Sequence, residues 1–141
     1  MLFNSYDNLK YAAHSKDGRS IWSAVLEKAW AKMKNNYIAA EVDAISNAHR
    51  ALTGAPSFMY NLWNYDSISG MNYPWEVLTG ADESNYIMNV GTLGNSDTTY
   101  NDCGIPNNHA YSIVATFTMS DNGQSHRCLL INNPWASTGW N

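Results

Sequence analysis

Asn107–Trp135, NNHAYSIVATFTMSDNGQSHRCLLINNPW, decides the fold. His109, Tyr111, Ile113, Ala115 and Phe117 share one parity, while Ala110, Ser112, Val114 and Thr116 share the other. That alternation predicts a strand with two distinguishable faces. Asp121-Asn122-Gly123 is a strong hairpin signal, because Asn and Gly tolerate the positive φ that a tight primed turn demands. The second arm, Arg127 to Asn132, stops at Pro134, which has no N–H to give a ladder.

Register turns this hairpin into a candidate site. A two-residue Asn122-Gly123 loop puts Asn133 opposite Ser112; a longer loop, beginning at Asp121 or Ser120, slides it opposite Ala110 or Tyr111. In each case Asn133 comes within a few places of His109 on the neighbouring strand. Direct cross-strand partners lie ~5 Å apart and diagonal ones ~7–8 Å, within reach of a side-chain hydrogen bond. A histidine oriented by a second polar side chain is the base-and-orienter half of a nucleophilic triad.

The rest of the composition narrows the classes. A chain of 141 residues with 45% hydrophobic and 14% charged residues is one domain's length of globular sequence. Net charge of −4, with no Lys/Arg run, argues against nucleic acid as a partner. No apolar run has the length of a membrane span, and the first residues carry no basic-then-apolar secretory pattern, so a cytoplasmic location is expected. Cys103 and Cys128 have no metal-ligand spacing and are expected as reduced thiols. His14, His49, His109 and His126 form no ligand cluster, so neither a metal nor a cofactor is expected.

Upstream, residues 1–18 read as a lead-in, with a short edge strand over Leu9–His14 and a turn at Lys16-Asp17-Gly18. Ser20 to Lys34 predicts a helix whose apolar stripe, Ile21, Trp22, Val25, Leu26, Ala29, Trp30 and Met33, faces a core. Ala39 to Leu52 predicts a second helix, with Gly54 as the residue that ends it. A short strand is expected at Phe58-Met59-Tyr60. A brief helix is expected over Pro74–Leu78, stopped by Gly80, and a core strand over Tyr86–Val90. Thr92 to Pro106 reads as a long loop leading to His109, and long loops that end at a reactive residue are commonly functional.

Three blocks in this order resemble the calpain-type cysteine proteases, in the second, β-rich half of their papain-like catalytic core. Ile21-Trp22-Ser23-Ala24-Val25-Leu26-Glu27-Lys28-Ala29-Trp30-Ala31-Lys32 is similar to the family's Trp-Ser-x-Leu-Leu-Glu-Lys-Ala-Tyr-Ala-Lys helix. Leu52-Thr53-Gly54 is similar to its Phe-Thr-Gly. His109-Ala110-Tyr111-Ser112 and Asn132-Asn133-Pro134-Trp135 resemble its His-Ala-Tyr-Ser and Arg-Asn-Pro-Trp signatures. The likeness runs from Tyr11 to Trp140 and is weakest between Asn61 and Gly91.

The resemblance implies an α+β fold: a papain-like, β-rich subdomain over residues 19–141, with an antiparallel sheet and N-terminal helices packed against it. It implies His109 as general base, Asn133 as the residue orienting its imidazole, and Trp135 as a shield over their hydrogen bond. The substrate implied is a polypeptide. The family's nucleophilic cysteine lies upstream of the Trp-Ser-x-Leu-Leu-Glu-Lys helix, and no cysteine precedes Ile21 here. The thiol is therefore expected from a Cys-bearing half in the same or another chain, and this chain alone is expected to be inactive. Two departures stand out. Asn108 occupies the position of the family's Gly before the His, and Ala136-Ser137-Thr138-Gly139-Trp140 replaces its Gly-Glu-x-x-Trp. Calcium regulation is implied by the resemblance alone. Two other readings follow from the missing thiol: a non-catalytic binding or assembly module, and a hydrolase pairing Cys103 with His109.

Overall fold

The computed structural model describes residues 20–41, 43–65, 67 and 69–134. The expected lead-in, Trp135 and the residues after it lie outside the described residues. The chain divides into two compact units, residues 1–57 and 58–141, described separately below.

The first unit holds three helices: α1 (Trp22–Met33), α2 (Tyr37–Glu41) and α3 (Ile45–Thr53). The single helix expected over Ala39–Leu52 is two. Between them Asp43 accepts the Ala44 N–H at 2.8 Å and an Asn47 amide hydrogen at 2.8 Å, local bonds that compete with continuing α2. Gly54 ends α3 as expected, at φ +70° with its N–H on Arg50 O at 2.9 Å; glycine adopts that conformation without a Cβ penalty. Helix α1 departs from expectation in its packing. It buries Ala24 and Ala31, while Trp22 is 67% exposed, as its partner α2 is only five residues long.

The second unit is α4 (Asn72–Glu83) and a three-stranded antiparallel sheet of β1 (Met88–Gly91), β2 (Ala110–Asp121) and β3 (Gln124–Asn132), in the order β1-β2-β3. With the helices it makes the chain α+β. The expected strand at Phe58–Tyr60 is absent; a short 3-10 turn forms instead at Leu62–Asn64. Pro74 sits in the first turn of α4, where no helical N–H is missed. Gly80 does not stop this helix, which continues to Glu83. A glycine inside a helix costs only about 1 kcal/mol, and Asp82, beyond it, is tied to the sheet. The core of this unit is formed by Met88, Tyr111 and Ile113, with Pro74 and Pro106 also buried.

The hairpin has the two-residue loop, with Asn122 at φ +49° and Gly123 at φ +79° and Asp121 paired with Gln124. The register then shifts once. Ala115 pairs with Leu130 but Ile113 pairs with Ile131, which leaves Val114 as an extra residue in β2. This β-bulge decides the site. An unbroken ladder from the turn would put Asn133 level with Ser112, on the face opposite His109. With the bulge, Ser112 pairs with Asn132, so Asn133 comes level with Tyr111 and onto the side of His109.

Candidate active site

His109 directly precedes β2 and Asn133 directly follows β3, so both stand at the end of the sheet away from the turn. The His109 Nε2 and the Asn133 Oδ1 are 2.9 Å apart. A carboxamide oxygen only accepts, so the imidazole must donate from Nε2. That places the ring proton on Nε2 and the basic lone pair on Nδ1. The pair is half-buried, where a hydrogen bond is electrostatically stronger than in open water.

Two neighbours fix the ring and the backbone behind it. Tyr111, two residues along the same face and only 2% exposed, meets the His109 ring edge-on, with centroids 4.8 Å apart and planes at 89°. Burial, and secondarily the charge of Tyr100, pushes the Tyr111 phenol above its ordinary pKa, so it stays neutral. Thr92 clamps the main chain. Its N–H donates to His109 O at 2.9 Å, and its hydroxyl accepts the His109 N–H at 3.1 Å. The same hydroxyl donates to Pro106 O at 2.7 Å. The sequence reading left Thr92 in the loop; its signal was its place directly after Gly91, which pairs with Ala110.

The loop between Thr92 and His109 is held by its own hydrogen bonds. The Asn107 N–H donates to Thr99 O at 2.8 Å and its side-chain amide to Thr99 Oγ1 at 3.1 Å. Asn101 Oδ1 accepts from the N–H groups of Cys103 and Ile105, at 3.0 and 2.9 Å. Asn108 is exposed at φ +46°, with its N–H on Leu93 O at 3.2 Å. Asn enters the left-handed region more readily than most residues, because its short polar side chain bonds locally.

The structure therefore brings His109 and Asn133 together and sets Asn108 beside them, while Trp135 lies outside the described residues. Both cysteines are free thiols. Cys103 is exposed in the loop, and the Cys128 Sγ contacts His126 O at 3.7 Å, toward the turn end of the hairpin. Among the described residues no three His, Cys, Asp or Glu side chains group to hold a metal ion. Among them, too, no helix is long and apolar enough to cross a membrane.

Comparison with known proteins gives the chain a family. A calpain-family cysteine protease model matches residues 2–141. The calpain-type cysteine protease DEK1 of Zea mays is 29% identical over 92% of this chain and 6% of its own length. Calpain-9 of Mus musculus is 27% identical over 91% of the chain and 18% of its own length. The calpain-1 catalytic subunit of Mus musculus is 26% identical over 99% of the chain and 19% of its own length. The chain thus spans less than a fifth of each of these relatives. With the match running from residue 2 to residue 141, the chain belongs to the calpain family of cysteine proteases.

Proposed function

We propose that this chain is the His/Asn-bearing part of a calpain-like cysteine endopeptidase, hydrolysing peptide bonds with a Cys-His-Asn triad whose thiol comes from another segment or chain. The observation that carries the reading is the 2.9 Å hydrogen bond from His109 Nε2 to Asn133 Oδ1. In this role the His109 Nδ1 takes the thiol proton and leaves a thiolate–imidazolium pair, and the thiolate is the nucleophile. Asn133 holds the ring in that tautomer and stabilises the imidazolium through the Nε2–H. Proton return from His109 to the leaving amine completes acyl transfer, and water then releases the acid. Trp135 is assigned the shielding role over the pair. A cytoplasmic setting belongs to the same reading, and the two free thiols support a reducing compartment.

The test is reconstitution. This chain alone should show no peptidase activity. Mixing or fusing it with the Cys-bearing half of a calpain-type core should give a thiolate-dependent activity that His109→Ala removes. Activity that survives His109→Ala would sink the reading.

One observation favours a second reading, a non-catalytic calpain-like module. Asn108, with a side chain where the family's motif has none, stands exposed beside His109, where a substrate backbone would pass. Under that reading Asn108→Gly leaves the reconstituted pair inactive; under the first it leaves activity intact or raises it.

A further inference from the structure

The four residues that deliver the histidine, Pro106 to His109, make a turn that is closed from outside. The chain bends at Asn107 and Asn108, and Asn108 takes φ +46°, the left-handed conformation that some turns require at their third position. In the ordinary closed form the first carbonyl accepts the fourth N–H, which here would join Pro106 O to the His109 N–H. A hydroxyl from another element stands between the two. Thr92 Oγ1 accepts the His109 N–H at 3.1 Å and donates to Pro106 O at 2.7 Å.

The same residue holds the other main-chain group of the histidine. Thr92 comes next after the Gly91–Ala110 pair, opposite His109, and its N–H donates to His109 O at 2.9 Å. The hydroxyl proton has a second carbonyl in reach, His109 O at 3.2 Å, but the shorter contact with Pro106 O is the better bond. One residue at the end of β1 thus fixes both the N–H and the C=O of His109, together with the carbonyl of the buried Pro106. Thr92 is itself half-buried, where water competes less for these groups than at an open surface. A shift of the turn would carry the His109 backbone with it, and the ring would leave its 2.9 Å contact with Asn133 Oδ1.

We propose that Thr92 is a positioning residue for His109: its hydroxyl closes the Pro106–His109 turn and so sets where the imidazole stands relative to Asn133. Thr92 acts through the histidine's main chain, not on the reacting atoms. The catalytic meaning of this device rests on the proposed protease function, but the geometric claim does not. The role needs a group that accepts and donates at once. Serine supplies one; valine and alanine do not.

The experiment reads the imidazole directly in the full chain, without any activity. Nitrogen-15 spectra of His109 report its tautomer, and the exchange rate of the Nε2 proton reports its bond to Asn133. Thr92→Val should speed that exchange by roughly 3- to 10-fold, the size expected when a neutral hydrogen bond is weakened. Thr92→Ser should return it close to the wild-type rate. Thr116→Val is the control for lost stability alone: it too removes a part-buried hydroxyl bond, the 2.8 Å one to Asp82, and should leave the exchange as it is. Exchange at the wild-type rate in Thr92→Val, or an equal rise in Thr116→Val, would overturn the proposal, even with a lowered unfolding midpoint. Should Thr92→Val not fold, Thr92→Ala serves instead, because it leaves water room to take the hydroxyl's place. A rise of about 3-fold is expected there, since mobile water holds the turn less firmly, and the wild-type rate would overturn the proposal. In the reconstituted enzyme the loss in Thr92→Val should fall on kcat, roughly 10- to 100-fold, with KM little changed; a loss carried by KM would count against a positioning role. If the ring responds as stated but the reconstituted pair never cleaves a peptide, the protease reading fails and this inference stands.

Discussion

His109 Nε2 and Asn133 Oδ1 meet at 2.9 Å although 24 residues separate them. Neither belongs to a strand; each sits one residue beyond one. Their meeting is set by the length of the hairpin, the two-residue turn and one bulge. Removing any one of the three would change which side chains stand side by side. The oxygen of Asn133 also chooses the tautomer of the ring, which is the chemically relevant part of the contact.

Graded losses of activity follow at these two residues in the reconstituted enzyme. His109→Ala should lower kcat/KM by about 10³-fold or more, since it removes the proton acceptor altogether. Asn133→Ala should lower it by less, roughly 10- to 100-fold, because the hydrogen bond it gives an imidazolium is worth ~1.5–3 kcal/mol. Steady-state kinetics on the two variants decides it: equal losses would mean that Asn133 does more than orient the ring.

Thr92 should matter to folding as well as to the site. Thr92→Val keeps the shape but leaves the His109 N–H without its 3.1 Å acceptor and Pro106 O without its 2.7 Å donor. Leaving such part-buried groups unpaired costs about 1–3 kcal/mol. Urea unfolding should show a lower midpoint with an unchanged slope, and Thr92→Ser should recover most of the loss. A midpoint equal to wild type in Thr92→Val would remove Thr92 from the account.

The main outline of the unit carrying this pair was legible because alternation and turn chemistry are local. Tyr111 and Ile113 announce an inward face, Asn122-Gly123 announces the turn, and Gly54 announces the end of α3. The bulge was not legible. Val114 is an ordinary strand residue, and nothing in the sequence around it marks it as the one left out of the pairing with β3. Thr92 was missed for a related reason: its partner is a main-chain group across a sheet whose pairing had to be known first. His109 and Asn133 could be named as a pair, but the face on which they meet depended on that one-residue shift of register.

Two glycines in the loop before His109 should respond differently to substitution. Gly94 has φ +132°, and a Cβ there would lie 2.6 Å from the Asn107 Cβ, two residues from His109. Gly94→Ala must therefore displace Asn107 as well as strain the backbone, at a cost of order 1–3 kcal/mol for the strain alone. Gly104 has φ +76° and open space around a Cβ, so Gly104→Ala should cost only about 1–2 kcal/mol. Proton spectra of the His109 ring should move in Gly94→Ala and stay put in Gly104→Ala. Movement in both, or in neither, would show that this loop does not hold the histidine in the way its hydrogen bonds imply.

In the first unit, the junction between α1 and α3 should carry a measurable pH dependence. The Asp43 carboxylate is held below its ordinary value of 3.8, first by its bond to the Lys34 ammonium and then by the Asn47 amide and the Ala44 N–H. A carboxyl whose folded pKa lies below its unfolded one binds protons more weakly in the folded state. Its contribution is therefore complete above the unfolded value and is lost as pH falls through the folded one, in the acid range below about pH 4. Carbon-13 titration of the Asp43 carboxyl should give a midpoint below that of a free Asp. Lys34→Ala should raise this midpoint while leaving the Asn47 and Ala44 bonds to hold part of the depression. Because the ion pair is accessible to water, added salt should move the wild-type midpoint in the same direction. A wild-type midpoint that neither Lys34→Ala nor salt moves would mean that the local Asn47 and Ala44 bonds, and not the lysine, set the charge at this junction.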